Sequence, residues 1–328
     1  AARCAQPNRR ELRSERRDGL SRPHKSRVSY KTCNMTTTHE LVTVRHQSAL
    51  GRWTQVMRRP HPSLAPFVRS LEGFDESTSS SLCRLEPAAA EAVLIFGFGA
   101  PVVVGADSTS TGSVLSSFFV PLRNQPLRVE SSGSQAGVQV NLTPVGARTI
   151  VGAPLREVMA ATDVSELFSR QISGLADHLA DTHSWAARLD LVERILRATL
   201  ESNGDTPAPL AESWRLLVSG TVRITEVADA VGWSRQHLHR QYHREFGHGP
   251  QTLARLVRFQ RASRLLGQRP LCDVAAACGY YDQAHLNREF MEFAGSSPQR
   301  LLAAHMPDSG GIKDVTSVQD REGPRPPQ

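Results

Sequence analysis

Between Leu210 and His305 the chain repeats itself, and this duplication constrains its fold more than any other feature. Arg240, Tyr242, Gly247 and Pro250 recur as Arg288, Phe290, Gly295 and Pro298, each pair 48 residues apart, and Leu238 and Leu286 keep the same interval. Upstream, Ile224, Val227, Ala228, Val231 and Gly232 match Leu271, Val274, Ala275, Cys278 and Gly279 at an interval of 47, so one extra residue enters the second copy in Tyr280-Tyr281. Such a pattern requires two copies of one small supersecondary unit. Within each copy, apolar residues at i, i+3, i+4 and i+7 make a short helix, a glycine supplies the bend, and Ser234 or Asp282 caps a second amphipathic helix. The small Ala228 and Ala275 let the paired helices approach closely.

The second helix of each copy divides into an inner and an outer face. In the first, Leu238, Tyr242 and Phe246 point inward, leaving Gln236, His239, Arg240 and His243 outside. In the second, Leu286, Phe290 and Phe293 point inward, leaving Gln283, Ala284, Asn287, Arg288 and Met291 outside. Any one polar residue on an exposed helix is ordinarily just solvated; two such faces in register point to recognition of the DNA major groove. There Arg pairs with guanine, Gln or Asn with adenine, and Ala meets the thymine methyl. Pro250 opens a connector helix through Gln251 to Leu266, roughly 25 Å at ~1.5 Å per residue, suited to holding two reading helices on one side of a duplex. Arg255, Arg258, Arg261 and Arg264 on this rod read equally as phosphate contacts or as a solvated face.

The residues Gly232-Trp233-Ser234, His237-Leu238 and Arg240, with Gly247 and Pro250, are followed by a second set. It comprises Gly279-Tyr280, Asp282-Gln283, His285-Leu286, Arg288 and Phe290, with Gly295 and Ser297-Pro298. Together they resemble the double helix-turn-helix of AraC/XylS-type bacterial transcription regulators, over roughly Trp214 to Leu302. The resemblance implies sequence-specific binding of promoter DNA by two recognition helices, Ser234 to Phe246 and Asp282 to Phe293. By position it places base contacts at Gln236, His239 and Arg240, with His243 on the same face, and at Gln283, Ala284, Asn287 and Arg288. The chain departs from the family at Tyr280-Tyr281, at Leu286 in place of the frequent Phe, and at Leu301-Leu302 in place of the usual Tyr-Arg.

From His46 to about Leu142, short apolar or alternating runs separated by Gly, Pro and Ser read as strands: Val93 to Phe98, Val102 to Val104, Ser117 to Pro121, Leu127 to Glu130 and Gly137 to Leu142. Ser77 to Ser81 and Asp107 to Ser113 read as loops. After Pro154 the period shifts toward 3.6: Leu155, Val158 and Met159 open a short helix, and Asp163 and Ser184 are N-caps for two more. In the last of these, Trp185, Leu189, Val192, Leu196 and Leu200 form one apolar stripe, which packs on the sheet or pairs with its twin in a dimer. The fold class is therefore α+β: an N-terminal small antiparallel β barrel or sandwich with helices at 35–204, a linker at 205–209, and an all-α domain of two helix-turn-helix units joined by a long helix at 210–305. His61 to Arg69, Val138 to Arg148 and Ser184 to Arg188 resemble, less specifically, the sensory domain of actinobacterial members of the same family, which implies effector binding or dimerisation.

The net charge of +7 is carried entirely by the first 34 residues, with ten Lys or Arg against three acids. This segment reads as a basic tail, either solvated or an arm on DNA phosphates, with Met35 as the natural start; residues 306–328 read as a second tail with nothing to bury. Five cysteines, an odd number and widely spread, imply neither a disulfide framework nor a zinc site. A cytoplasmic setting follows as the expectation, with no membrane span, since the longest apolar run, Ala92 to Val104, is broken and too short. No cofactor is expected. No Gly-x-Ser-x-Gly or His-Glu-x-x-His occurs, and Cys83 lacks the setting of a DNA-repair methyl acceptor, so the chain is not read as an enzyme. The expected partners are double-stranded promoter DNA, RNA polymerase if the protein activates, a small-molecule effector, and a second copy of the chain. A regulator whose N-terminal half only dimerises stays open as the alternative.

Overall fold

The computed structural model describes residues 41–48, 51–105, 112–158, 160–168, 170–203, 206–220, 222–305 and 314–318. Calls on residues 1–34, on Met35 as a start and on most of 306–328 lie outside them. The strands are β1 (Leu41–Ser48), β2 (Gly51–Arg58), β3 (Val68–Thr78), β4 (Leu82–Glu86), β5 (Ala92–Gly97), β6 (Val102–Gly105), β7 (Ser113–Leu115), β8 (Phe118–Val120), β9 (Leu127–Ser131), β10 (Ser134–Leu142), β11 (Thr162–Asp163) and β12 (Asp314–Val318). They form an antiparallel eight-stranded sheet, β11-β8-β5-β10-β3-β2-β1-β12, and a four-stranded one, β4-β9-β6-β7.

Alternation along β5 explains the layering. Ala92, Leu94 and Phe96 are fully buried in the main core, while Val93 and Ile95 turn the other way onto Val102, Phe118 and Val120 of a smaller apolar cluster. The main core is closed by α1 (Pro144–Val151), α4 (Leu175–Asp181) and α5 (Trp185–Ser202), with the short α2 (Val164–Leu167) and α3 (Arg170–Ser173) between α1 and α4. Ser184 caps α5 by accepting from Ala187 N–H at 3.1 Å. Leu189, Val192 and Leu196 are buried there, so the stripe on α5 is used for packing within this chain. Beneath α5, Arg58 is almost wholly buried and pairs with Asp190 at 2.5 Å and Glu193 at 3.0 Å.

Four expectations need correction. The helix expected from Leu155 is a single tight turn, Leu155–Glu157, because Val158 is already extended. α1, ahead of Pro154, was not anticipated; Thr143 caps it and Pro144 stands at its first position. Of the linker expected at 205–209, the described residues 206–209 are anchored: Thr206 is buried with its hydroxyl 2.8 Å from that of Thr149, and α6 already begins at Ala208, while Asn203 donates to the Thr149 and Ile150 carbonyls. Within the tail, β12 pairs with β1, whose edge offers unsatisfied backbone groups to an extended segment.

The C-terminal half is helical throughout: α6 (Ala208–Ser219), α7 (Ile224–Ala230), α8 (Arg235–Phe246), α9 (Pro250–Leu265), α10 (Leu271–Ala277), α11 (Gln283–Ala294) and α12 (Pro298–His305). One continuous apolar core runs through both halves, from Val145, Ile150 and Leu155 to Leu210, Trp214 and Leu238. No helix among the described residues is long and apolar enough to cross a membrane.

Candidate nucleic-acid interface

The duplication is visible in the backbone bonds. At the first bend Trp233 N–H donates to the Ala228 carbonyl at 2.9 Å, and at the second Tyr280 N–H donates to Ala275 at the same distance. Gly232 and Gly279 make these bends with φ of +71° and +74°, a left-handed conformation costly for any residue with a Cβ. Ser234 then accepts from His237 N–H at 3.1 Å, and Asp282 from His285 N–H at 2.6 Å, each satisfying a free donor of the following helix. Val227, Ala228, Val274 and Ala275 are buried where each helix pair touches.

Burial then fixes which side of α8 and α11 faces out. Leu238, Tyr242 and Phe246 of α8, and Leu286, Phe290 and Phe293 of α11, are at most 1% exposed. Each such side chain contributes roughly 1.5–3 kcal/mol of burial, enough to hold the rotation of its helix. In consequence Gln236, His239, Arg240 and His243 of α8 are exposed, as are Gln283, Ala284 and Arg288 of α11. Asn287 is the exception: it is half-buried, and its side-chain oxygen is enclosed without a hydrogen-bond partner. Across the repeat Gln236 aligns with Ala284, His239 with Asn287, Arg240 with Arg288 and His243 with Met291, all at the 48-residue interval.

Residues 210–305 hold twelve arginines, no lysine and eight acids, a surplus of four positive charges. Of the four connector arginines that the sequence offers as phosphate contacts or a solvated face, three face acids of this chain. Arg255 and Arg258 of the connector α9 bind the buried Glu289 of α11 at 2.8 and 2.5 Å, and Arg255 also reaches Glu292. They tie α9 to α11. Burial alone would raise the Glu289 carboxyl, yet the bonds from Arg258 and Arg255 hold it below the usual range. Arg264 lies 3.9 Å from Glu91 of the N-terminal half, leaving Arg261 as the exposed one of the four with no ion pair among the described residues. Arg240 and Arg288 likewise make no ion pair among the described residues.

His239 and His243 stack one turn apart, ring centroids 4.4 Å from each other. Burial, then the neighbouring His239 and His248, pushes the His243 imidazole below its ordinary value. The exposed face of α8 therefore favours uncharged imidazole at this position at neutral pH.

The N-terminal half docks on the far side of α8. Arg148 of α1 donates to the buried Glu245 at 2.5 Å, and Arg244 reaches the same carboxylate at 2.6 Å. His248 donates to the Leu122 carbonyl at 3.0 Å, and Ala88 N–H to the Phe293 carbonyl at 2.7 Å. Between the two sheets lies a cavity of about 930 Å³. Val93, Ile95, Phe118 and Val129 give it apolar walls, Glu72, Glu76, Arg84 and Arg123 polar ones, and Gly295, Ser296 and Arg300 of the helical half complete it. Arg84 and Gln135 both donate to Glu76, and the Arg123 side chain reaches the Pro87 carbonyl at 2.7 Å. Sequence reasoning missed this cavity; it placed the inserted residue in Tyr280-Tyr281 but gave it no role, and Tyr281 is 94% exposed at the entrance to α11. The one-residue slip in the repeat was the signal that could have marked Tyr281.

Residues 227–304 match the family described as "Helix-turn-helix domain". No curated protein sequence matches the chain. Among solved structures, ToxT from Vibrio cholerae is similar with a TM-score of 0.45 and 8% identity, covering 72% of this chain and 98% of that one. ToxT from Vibrio cholerae bound to an unsaturated fatty acid gives 0.43 and 11%, covering 75% and 97%. A transcriptional regulator from Chromobacterium violaceum, described as containing an AraC-type DNA-binding domain, gives 0.29 and 22%, covering 31% and 95%. The duplicated unit, complete in every bend, cap and inner face, thus coincides with a matched helix-turn-helix domain over residues 227–304.

Proposed function

We propose that the protein reads promoter DNA with α8 and α11 in adjacent major grooves on one face of a duplex, through Gln236, His239, Arg240 and His243 and through Gln283, Ala284, Asn287 and Arg288. The observation that carries this reading is the matched outward face: Arg240 and Arg288 occupy the same step of two equally capped, equally buried helices, and both are exposed. α9 spans roughly 24 Å at ~1.5 Å per residue, a strut short enough to keep both helices on one side of the helix axis. Asn287 enters this set after its half-enclosed amide turns outward. Hydroxyl-radical footprinting of the full chain tests the reading: protection on a single face across two successive major grooves supports it, and protection of one groove alone refutes it.

The N-terminal half serves as the effector domain in this account, and the cavity is the specific reason. Its volume lies within the roughly 300–1,000 Å³ of small-molecule sites, it is mainly apolar with a few fixed polar groups, and part of its wall belongs to the DNA-binding half. A molecule bound there would touch Gly295 and Arg300 at the end of the second unit. A thermal-shift screen on the full chain tests this, because an effector that binds the folded state raises the unfolding temperature, by an amount that grows with the logarithm of its concentration above its dissociation constant. Dimerisation and, for an activator, contact with RNA polymerase complete the proposal, light scattering on free and DNA-bound protein being the direct check of the first.

A further inference from the structure

The two reading faces are built alike and furnished differently. Trp233 and Tyr280 close their bends on equivalent carbonyls, and each packs its ring against the equivalent histidine, His237 at 4.8 Å and His285 at 5.2 Å. Trp233 is followed at once by the N-cap Ser234, whereas Tyr280 is separated from the N-cap Asp282 by one residue. The residue added to the second copy is therefore Tyr281, and its side chain is 94% exposed. At the other end of the outward face stands Met291, 55% exposed, with Ala284 between them. Ala284, Arg288 and Met291 share one stripe of α11, and Tyr281 stands just ahead of the N-cap Asp282, at the end from which that stripe starts. The matching positions of α8 hold Gln236 and His243, and nothing matches Tyr281.

Isolated exposed apolar residues are ordinary, but an aligned row of them marks a surface that a partner covers. This row is continuous with the face that carries Arg288, and the apolar group that a major groove presents is the C5-methyl of thymine. We infer that the second recognition helix reads thymine methyls through Tyr281, Ala284 and Met291, so that its half of the operator is thymine-rich around the guanine paired with Arg288, whereas the first half is read by polar groups. This inference rests on the major-groove reading of α8 and α11.

The test takes the full chain and a duplex chosen by selection from random DNA. Arg288→Ala identifies the segment under α11, as the one whose base preference relaxes. Thymines of that segment are then replaced by deoxyuridine, which removes only the methyl group. The expected result is a loss of about three- to fivefold in affinity per contacted thymine, the worth of one buried methyl-sized group, with less than twofold in the other segment. In Tyr281→Ser/Met291→Gln, both positions being exposed enough to leave folding intact, the thymine preference shrinks to what Ala284 alone retains, at most one methyl contact. Uracil tolerated throughout the α11 segment overturns the inference while leaving the two-groove reading in place. Unchanged DNA binding of the double variant with reduced transcription also overturns it, assigning the stripe to a protein partner. If no bipartite duplex is selected, both readings fail.

Discussion

Arg240 and Arg288 sit at the same step of two copies of one helix, exposed and without acidic partners among the described residues. A bidentate pair with guanine discriminates by about 1–3 kcal/mol. Arg240→Ala and Arg288→Ala are each expected to weaken specific binding by about that amount and to relax preference at one base pair, measured by titration of wild-type and mutated sites at fixed salt. His243 adds a pH dependence. Its imidazole is held below the ordinary value by burial, by His239 on its own helix and by His248 in the following loop. In the free protein the neutral form is thus favoured, and the stability this position contributes falls as pH drops below the unfolded histidine range of about 6.5. Phosphates close to His243 reverse the preference, so DNA binding takes up a proton. Affinity is expected to rise as pH falls from 7.5 to 6, and His243→Gln to flatten that slope; an unchanged slope contradicts the placement of this ring against DNA.

At the scale of elements, the buried Glu289 binds α11 to α9 through Arg255 and Arg258, and removing it takes from Arg258 its acidic partner and leaves Arg255 with Glu292. Glu289→Ala is expected to cost about 3 kcal/mol, read as a lower denaturant midpoint at pH 7. The folded carboxyl is held low, so its contribution is complete above the unfolded glutamate range and disappears as pH falls through the depressed value. Wild type should therefore lose stability more steeply below about pH 4.3 than Glu289→Gln. Much of this architecture was legible beforehand, because α8 and α11 display a period of 3.6 twice, and duplication separates pattern from accident. The sheet was less legible. β3, the longest strand, turns Glu72, Phe74 and Glu76 toward the cavity, so polar lining residues break the apolar alternation that marks a strand. The Arg255 and Arg258 pairs were illegible for another reason: periodicity tells which face a residue occupies, not which acid across the groove meets it.

For the molecule as a whole, the two halves are one compact unit, with Arg148–Glu245, His248–Leu122 and Ala88–Phe293 as polar ties beside a continuous core. Burial would raise the Glu245 carboxyl, but bonds from Arg148 and Arg244 hold it low, so this tie is intact at neutral pH. Arg148→Ala leaves the buried Glu245 carboxylate near the end of α8 with Arg244 as its remaining cation. It is expected to increase hydrogen exchange in α8 and to weaken DNA binding without altering base preference, a pattern distinct from that of Arg240→Ala. The central claim is that two matched helices on a stiff strut read one side of a duplex. Selection of bound sequences from random DNA with the full chain measures it most directly. The account predicts two clusters of specified base pairs whose centres lie about 10–10.5 base pairs apart; a single cluster, or no enrichment, contradicts it.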